Sequence, residues 1–439
     1  MFQNRVLTVV LLFLFLPTPA SPRVCQQHEY AGAYKVEDGR YLIIRSTESG
    51  ALSIIDMRTG QVRNLTLKRK GLYTHGPTRS RGTPVVGHVS FGPGRQVTWT
   101  SSLFGKLVGT PLPAQKTDLL VKGQEGAVLS GTLFLPERGG SYPVAVIIPL
   151  GDRSSLWEPA MWLLTSGIGV FVYDQRGTGN STGKLYGEQF NSHTLESLQF
   201  AGDVVTIIRK VRSLPGVDPH RIGILGWSQG GWVGAMAASR LGRQLAFYVN
   251  IAANASPWPE QAQHRFLSRL RLEGFSGTAL EEAAEYFQAL RAVSDFRIGW
   301  QEYRKIKDLY KNSQWYRTII GIFPFFAYDE YGEALVGWSM EKSPDIYFRR
   351  LSEVPSLGVY FEFDQSNPPD SPSLFVKALE EAGNSNFCVK EFSGVNHGGW
   401  VVTGYAFNPE NIDRRDPDIF NFVGNWIAAQ VRIPTDRKN

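Results

Sequence analysis

A serine stands among glycines at Gly226-Trp-Ser228-Gln-Gly230-Gly231, directly after the apolar run Ile222-Gly-Ile-Leu225 and before a helix-like stretch, Trp232 to Leu241. A strand that turns this sharply into a helix lifts one side chain clear of the backbone at the carboxyl edge of a sheet. Glycine at Gly226 and Gly230 removes the Cβ atoms that would collide in such a turn. A serine hydroxyl is nearly inert near neutral pH. It becomes a nucleophile when a base takes its proton and an acid orients that base. A histidine and a carboxylate at the ends of later strands would complete the set.

Seven histidines are available. His28, His75 and His88 fall in an N-terminal β-rich region, His193 and His220 precede a helix start and a strand start, and His264 belongs to a helix-rich segment. His397, in Gly394-Val-Asn-His397-Gly-Gly, follows the last strand in a glycine-rich loop, where a base can reach across the sheet edge. For the acid, Asp364 ends the strand Leu357 to Phe363 and is followed by Pro368. Glu362 competes from inside the strand, and Asp370 lies further out. The order Ser228, Asp364, His397 is nucleophile, acid, base. An acyl-transfer intermediate carries an anionic oxygen that two backbone N–H groups must hold. Gln229, after the nucleophile, supplies one, and Asp152, in Pro149-Leu-Gly151-Asp152-Arg153, is the expected second. Arg153 reads either as a contact to an acidic substrate group or, more simply, as a salt bridge to Asp152 or Asp174.

The elements that must position these residues follow from periodicity. From Tyr30 to Leu112 short alternating runs are broken by glycine-centred turns, which predicts an antiparallel barrel or sandwich. After Pro111-Leu-Pro113 the pattern changes. Thr117–Val121 and Val128–Leu135 read as a hairpin. Val144–Ile148, Val170–Tyr173, Arg221–Leu225, Leu245–Ile251, Leu357–Phe363 and Phe387–Phe392 read as strands separated by helical stretches. Alternation of this kind implies right-handed crossovers and a mostly parallel sheet. It stops between about Ser256 and Val354, a helix-rich, aromatic-rich segment placed to cap the catalytic edge. Most of its rings are expected to pack the cap's own core. The divisions are therefore a leader at 1–20, an all-β domain at 25–113, a first core part at 114–255, a helical cap at 256–354 and a second core part at 355–439.

Several pieces together resemble one superfamily. They are Ser130-Gly-Thr-Leu-Phe-Leu-Pro136, Tyr173-Asp-Gln-Arg-Gly177-Thr-Gly-Asn-Ser181, Gly226-Trp-Ser228-Gln-Gly230-Gly231, Asp364 with Pro368, and Asn396-His397-Gly398. From about residue 117 to 431 the chain resembles the α/β-hydrolases, in the branch of secreted serine hydrolases, thioesterase-like and prolyl-oligopeptidase-like enzymes. The resemblance implies cleavage of a carboxylic ester or thioester through an acyl-enzyme, with no organic cofactor and no metal. It also implies that Asp174 and Arg176 are structural. A prolyl-oligopeptidase-like peptidase, acyl transfer to an alcohol, and a non-catalytic binding module on the same fold stay open. The start Tyr30-Ala-Gly-Ala-Tyr34 with Asp38-Gly39 resembles lipocalin-like β-modules.

The whole chain sets the remaining bounds. At 439 residues it exceeds one ordinary core, and 42% apolar with 20% charged residues reads as a folded globular protein. The net charge of +6 is scattered. The run Lys68-Arg69-Lys70 reads as a solvated turn, so nucleic acid is not an expected partner. Met1–Arg5 carries one positive charge, Val6–Leu16 is apolar, and Thr18-Pro-Ala20 is small, which is the pattern of a cleavable signal peptide and predicts an exported protein with no stable membrane anchor. Cys25 and Cys388 could pair in an oxidising compartment. Asn64-Leu-Thr66, Asn180-Ser-Thr182 and Asn254-Ala-Ser256 match glycosylation acceptors.

Overall fold

In the computed structural model the described residues are 29–46, 51–79, 84–102, 104–136, 140–184, 193–295, 297–322, 344–405, 407 and 412–432. The leader reading, Cys25 and its pairing with Cys388, and the cap aromatics from Phe323 to Trp338 lie outside them.

Eight antiparallel strands come first: β1 (Gly32–Val36), β2 (Tyr41–Ser46), β3 (Leu52–Asp56), β4 (Val62–Arg69), β5 (Leu72–His75), β6 (Gly87–Phe91), β7 (Val97–Ser101) and β8 (Gly105–Pro111). They form a closed barrel, because β1 pairs with β8 as well as with β2. Side chains alternate across a strand, and this alternation splits the barrel's apolar residues between two cores. Tyr34, Leu42, Ile44, Ile54, Val89, Val97 and Trp99 fill the interior. Ala33, Ile43, Ile55 and Val62, one register step away, join a cluster shared with the second unit. That is why all of β3 is buried. Strands β5 and β8 carry little pattern of their own. β5 is only 4 residues long, and β8 is opened by Gly105 and interrupted by Gly109. The basic run 68–70 sits exposed at the β4–β5 turn.

Inside the barrel His75 is held in one tautomer. The Trp99 Nε1–H donates to His75 Nε2 at 2.8 Å, so His75 Nδ1–H donates to the Gly76 carbonyl at 2.8 Å. Burial pulls the His75 pKa below its ordinary 6.5. A neutral native ring with a protonating unfolded ring stabilises the fold above that value, and the contribution is lost as pH falls below it. The unfolding midpoint should therefore drop between pH 7 and pH 5, with a shallower drop in His75→Gln. Equal slopes in a pair of urea titrations would contradict this account.

The second unit is an eight-stranded sheet in the order β16-β15-β14-β13-β11-β12-β10-β9. Its strands are β9 (Gln115–Lys122), β10 (Val128–Leu135), β11 (Tyr142–Ile148), β12 (Gly169–Tyr173), β13 (Val217–Trp227), β14 (Phe247–Ile251), β15 (Ser356–Phe363) and β16 (Phe387–Asn396). The β9–β10 hairpin is antiparallel and β10 runs antiparallel to β12, whereas β12, β11, β13, β14, β15 and β16 are parallel. The helices are α1 (Trp157–Thr165), α2 (His193–Val211), α3 (Gln229–Leu241), α4 (Trp258–Leu272), α5 (Thr278–Ser294), α6 (Trp300–Tyr310), α7 (Gln314–Ile322), α8 (Asp345–Phe348), α9 (Ser371–Glu381) and α10 (Pro417–Gln430). Two apolar layers sandwich the sheet. One joins it to α2, α3 and α9. The other joins it to α1, α10 and the barrel wall.

Helices α4 to α7 lie between β14 and β15 in the chain and pack around their own core. Tyr286, Phe287, Tyr303, Trp315 and Tyr316 are buried there, and the Tyr286 and Tyr303 hydroxyls are 2.7 Å apart. Among the cap rings that are described, Tyr303, Trp315 and Tyr316 thus pack the cap itself. No helix among the described residues is long and apolar enough to cross a membrane. Asn254 is fully buried and bonds Ser256 through both its side-chain atoms, so the third glycosylation match is a structural asparagine.

Candidate active site

The turn from β13 into α3 puts Ser228 at φ 54°, ψ −127°, a conformation that L-residues rarely adopt. Strain of this kind persists only where the surroundings over-determine it. Here the Ser228 N–H donates to the Ile251 carbonyl at 2.8 Å and the Gly231 N–H donates to the Ser228 carbonyl at 2.8 Å. A Cβ on Gly226 would collide with the Gly230 carbonyl, and one on Gly231 would meet Ala253 and the Asn250 side chain. At Gly230 the nearest atom, the Ile148 carbonyl oxygen, is 3.2 Å away. The turn therefore needs glycine most at Gly226 and Gly231, one position later than the sequence reading placed the second requirement.

Parallel strands ending on one edge bring the partners together. His397 follows β16 directly, and Asp364 follows β15. His397 Nε2 lies 3.0 Å from Ser228 Oγ, and His397 Nδ1 lies 2.8 and 2.9 Å from the two Asp364 oxygens. A carboxylate only accepts, so Nδ1 carries the proton and Nε2 offers its lone pair to the serine hydroxyl. Asp364 and His397 are buried, at 3% and 5% exposure.

Three further donors fix the carboxylate. Ser366 N–H and Asn367 N–H donate to Asp364 Oδ1 at 2.7 and 2.9 Å, and Asn367 Nδ2 donates to Oδ2 at 2.8 Å. The same amide reaches the Ala252 carbonyl at 2.6 Å and ties the acid loop to the end of β14. Neither residue was identified from sequence. The available signal was the Asp-x-Ser-Asn run, whose short polar side chains favour turns that fold back on the aspartate. Glu362 is exposed and accepts from Gly394 N–H at 2.8 Å, and Asp370 is exposed and accepts from Ser256 Oγ at 3.3 Å. Neither competitor contacts His397.

His264, on α4, places the cap against the same loop. Its Nε2–H donates to the Asp364 carbonyl at 2.8 Å, and burial lowers its pKa from 6.5. Trp227 Nε1 donates to the His397 carbonyl at 3.0 Å from below.

Gln229 opens α3, so its N–H has no acceptor within the helix. In the facing loop Gly151 N–H is bound to Gln175 Oε1 at 3.0 Å, and Arg153 N–H to Asp174 Oδ1 at 2.9 Å. The Asp152 side chain caps the following turn by accepting from Ser154 N–H at 2.6 Å. Arg153 is buried and spends its guanidinium on Asp174, Thr132 and Ser130, so it is a structural residue. Arg176 is also structural, with a bidentate pair to buried Asp203 at 2.7 Å for each bond.

This fold and the profile match agree. The chain belongs to the alpha/beta hydrolase family, whose profile matches residues 134–371. Among characterised and uncharacterised relatives, a polyketide transferase of Penicillium crustosum is 30% identical over 155 residues, covering 33% of this chain and 48% of that protein. An uncharacterised protein of Salmonella typhi is 28% identical over 127 residues, 28% of this chain and 40% of its own length. Venom dipeptidyl peptidase 4 of Vespa velutina is 29% identical over 152 residues, 32% of this chain and 19% of its own. The chain thus spans less than half the length of these relatives. A solved Pyrococcus furiosus esterase superposes with a TM-score of 0.44 at 14% identity, over 73% of this chain and 92% of that one. A thermophilic carboxylesterase cloned from a metagenomic library gives 0.42 at 15%, over 73% and 91%.

Proposed function

We propose that the protein is a serine hydrolase that cleaves a carboxylic ester or thioester through an acyl-enzyme on Ser228. The observation that carries the reading is the continuous chain from Asp364 through His397 to Ser228 Oγ, with the histidine tautomer fixed by the acid. His397 Nε2 takes the serine proton as Oγ attacks the carbonyl carbon. The tetrahedral oxygen becomes anionic and is held by the N–H of Gln229, with Asp152 as the proposed second donor. Collapse expels the leaving group, which takes its proton from His397. A water then attacks the acyl-serine, His397 again serving as base, and the carboxylic acid leaves. Asp364 stays ionised throughout and steadies the imidazolium. We assign the chain to the exported compartment on its leader pattern, and no organic cofactor or metal is required by this chemistry.

The peptidase alternative is supported by the likeness to a venom dipeptidyl peptidase. Turnover of p-nitrophenyl esters of graded acyl length, set beside a proline-containing peptide p-nitroanilide, separates the readings. The proposal expects ester turnover with a dependence on acyl length, since the cap covers the acid loop. Amide turnover at a comparable rate would move the assignment to peptidase, and silence on both would leave the fold as a binding module.

A further inference from the structure

We infer that the N-terminal barrel is a positioning device for the catalytic histidine: it holds, from behind, the hairpin that carries His397. The inference rests on the triad reading above.

The connection is a continuous hydrogen-bonded ladder. His397 lies at the tip of a tight hairpin in which Asn396 N–H donates to the Trp400 carbonyl at 3.0 Å and Val402 N–H to the Gly394 carbonyl at 2.8 Å. The Asn396 side chain receives the N–H groups of Gly398 and Trp400 at 3.0 and 3.1 Å, which closes the tip. The far side of this hairpin pairs with residues 412–416. Trp400 bridges Arg415, Val401 N–H donates to the Arg414 carbonyl at 3.0 Å, and Asp416 N–H to the Gly399 carbonyl at 3.2 Å. The other edge of 412–416 belongs to the barrel. Arg415 N–H donates to the Gly60 carbonyl at 2.8 Å, Gln61 bridges Arg414, and Val62 N–H donates to the Asp413 carbonyl at 2.7 Å. Segment 412–416 is therefore a rung between the β3–β4 turn of the barrel and the histidine hairpin.

Charged side chains lock the rung from both sides. Buried Arg63, on β4, pairs with Asp413 at 2.9 Å. The Trp400 ring is sandwiched between two guanidiniums, Arg79 at 4.2 Å and Arg415 at 3.9 Å from its centroid. Arg415 also bonds the Gly398 carbonyl, one residue past the catalytic base. Glu158, on α1, is 2% exposed; its Oε2 accepts from Arg415 at 3.0 Å and from Arg45, on β2, at 3.3 Å, and its Oε1 is ion-paired with Arg415 Nε at 2.8 Å. Burial alone would raise the Glu158 pKa, but Arg415 and Arg45 outweigh it and hold the carboxylate ionised. Three of these guanidiniums, Arg45, Arg63 and Arg79, come from the barrel. The contact is also close-fitting, since Gly60 has φ 72° and a Cβ there would run into the Arg415 carbonyl.

The physical consequence follows from the geometry of proton transfer. His397 must keep its 3.0 Å contact with Ser228 while bonded to Asp364, and displacement of a catalytic group by about 1 Å can cost on the order of 10²-fold in rate. A hairpin with few residues and two glycines at its tip has little rigidity of its own. The barrel supplies it through the rung.

The test uses the full chain with a short-chain p-nitrophenyl ester. Gly60→Ala and Arg79→Met are expected to lower kcat by about 10- to 100-fold and leave KM within about twofold, because the described contacts of Gly60 and Arg79 are with the rung, the hairpin and the barrel and not with the cap helices. Arg79→Lys, which keeps a cation over Trp400, is expected to recover most of the lost kcat. Arg79→Met alone carries the test if Gly60→Ala fails to fold. A folded Arg79→Met with wild-type kcat would overturn the inference, showing the contact to be packing only. So would a parallel loss in KM and kcat that Arg79→Lys does not rescue. A wild-type protein with no turnover and no capture by a fluorophosphonate would overturn the triad reading itself, a distinguishable failure.

Discussion

Ser228→Ala is expected to lower kcat/KM for the best ester by at least about 10⁴-fold while the protein stays folded. The loss is large because no other hydroxyl takes the place of Ser228 at His397 Nε2 among the described hydrogen bonds. Folding should survive because, among the described hydrogen bonds, the hydroxyl bonds that histidine alone, whereas the backbone N–H and carbonyl that hold the turn remain in alanine. The positive φ strains alanine as much as serine. The check is steady-state turnover beside a thermal melt. Retention of a tenth or more of the activity at an unchanged melting point would show that the serine is not the nucleophile.

Asp364→Asn is expected to cost about 10³- to 10⁴-fold in kcat, and the reason is tautomeric rather than steric. The carboxylate accepts from His397 Nδ1, from two backbone N–H groups and from the Asn367 amide. An asparagine can keep its oxygen toward Ser366 and Asn367 N–H, which leaves its NH₂ toward His397 Nδ1. The NH₂ then stands where Oδ2 faced Nδ1 at 2.9 Å, which favours the tautomer protonated at Nε2, in which the ring presents N–H rather than a lone pair to Ser228. The amide also sets two donors against each other at Asn367 Nδ2. Glu362→Gln, by comparison, should keep kcat within about fivefold, because Glu362 is exposed and reaches only the Gly394 N–H. Equal losses in both variants would mean that the acid has been misassigned.

That Ser228, Asp364 and His397 come together was legible because each carries a local signal at a strand end: glycines around Ser228, a strand stop at Asp364, a glycine-rich tip at His397. Chain order then chose among the histidines, rejecting His264 even though it sits against the acid loop. The sheet was legible for the same reason, since buried parallel strands are continuous apolar runs. What escaped lacks any local signal. Asn367 looks like loop polarity until the fold brings Ala252 beside it. Residues 412–416 have no strand pattern of their own in Ile-Asp-Arg-Arg-Asp, yet they are a rung with a partner some 350 positions away on β4. The closing strand β8 is weak in pattern because Lys106, Gly109 and Thr110 interrupt it, and only its pairing to β1 makes it a barrel wall. Asn254 matched a glycosylation triplet, but triplets carry no information on burial. Non-local pairing, not propensity, decides each of these.

The central claim is that Ser228 is the activated nucleophile, and its most direct test is to map where a fluorophosphonate attaches. After reaction, digestion and mass spectrometry should find one adduct per chain on the peptide containing Ser228, absent in Ser228→Ala and slowed in Asp364→Asn. An adduct on another residue, or none on protein that melts cooperatively, would contradict the account.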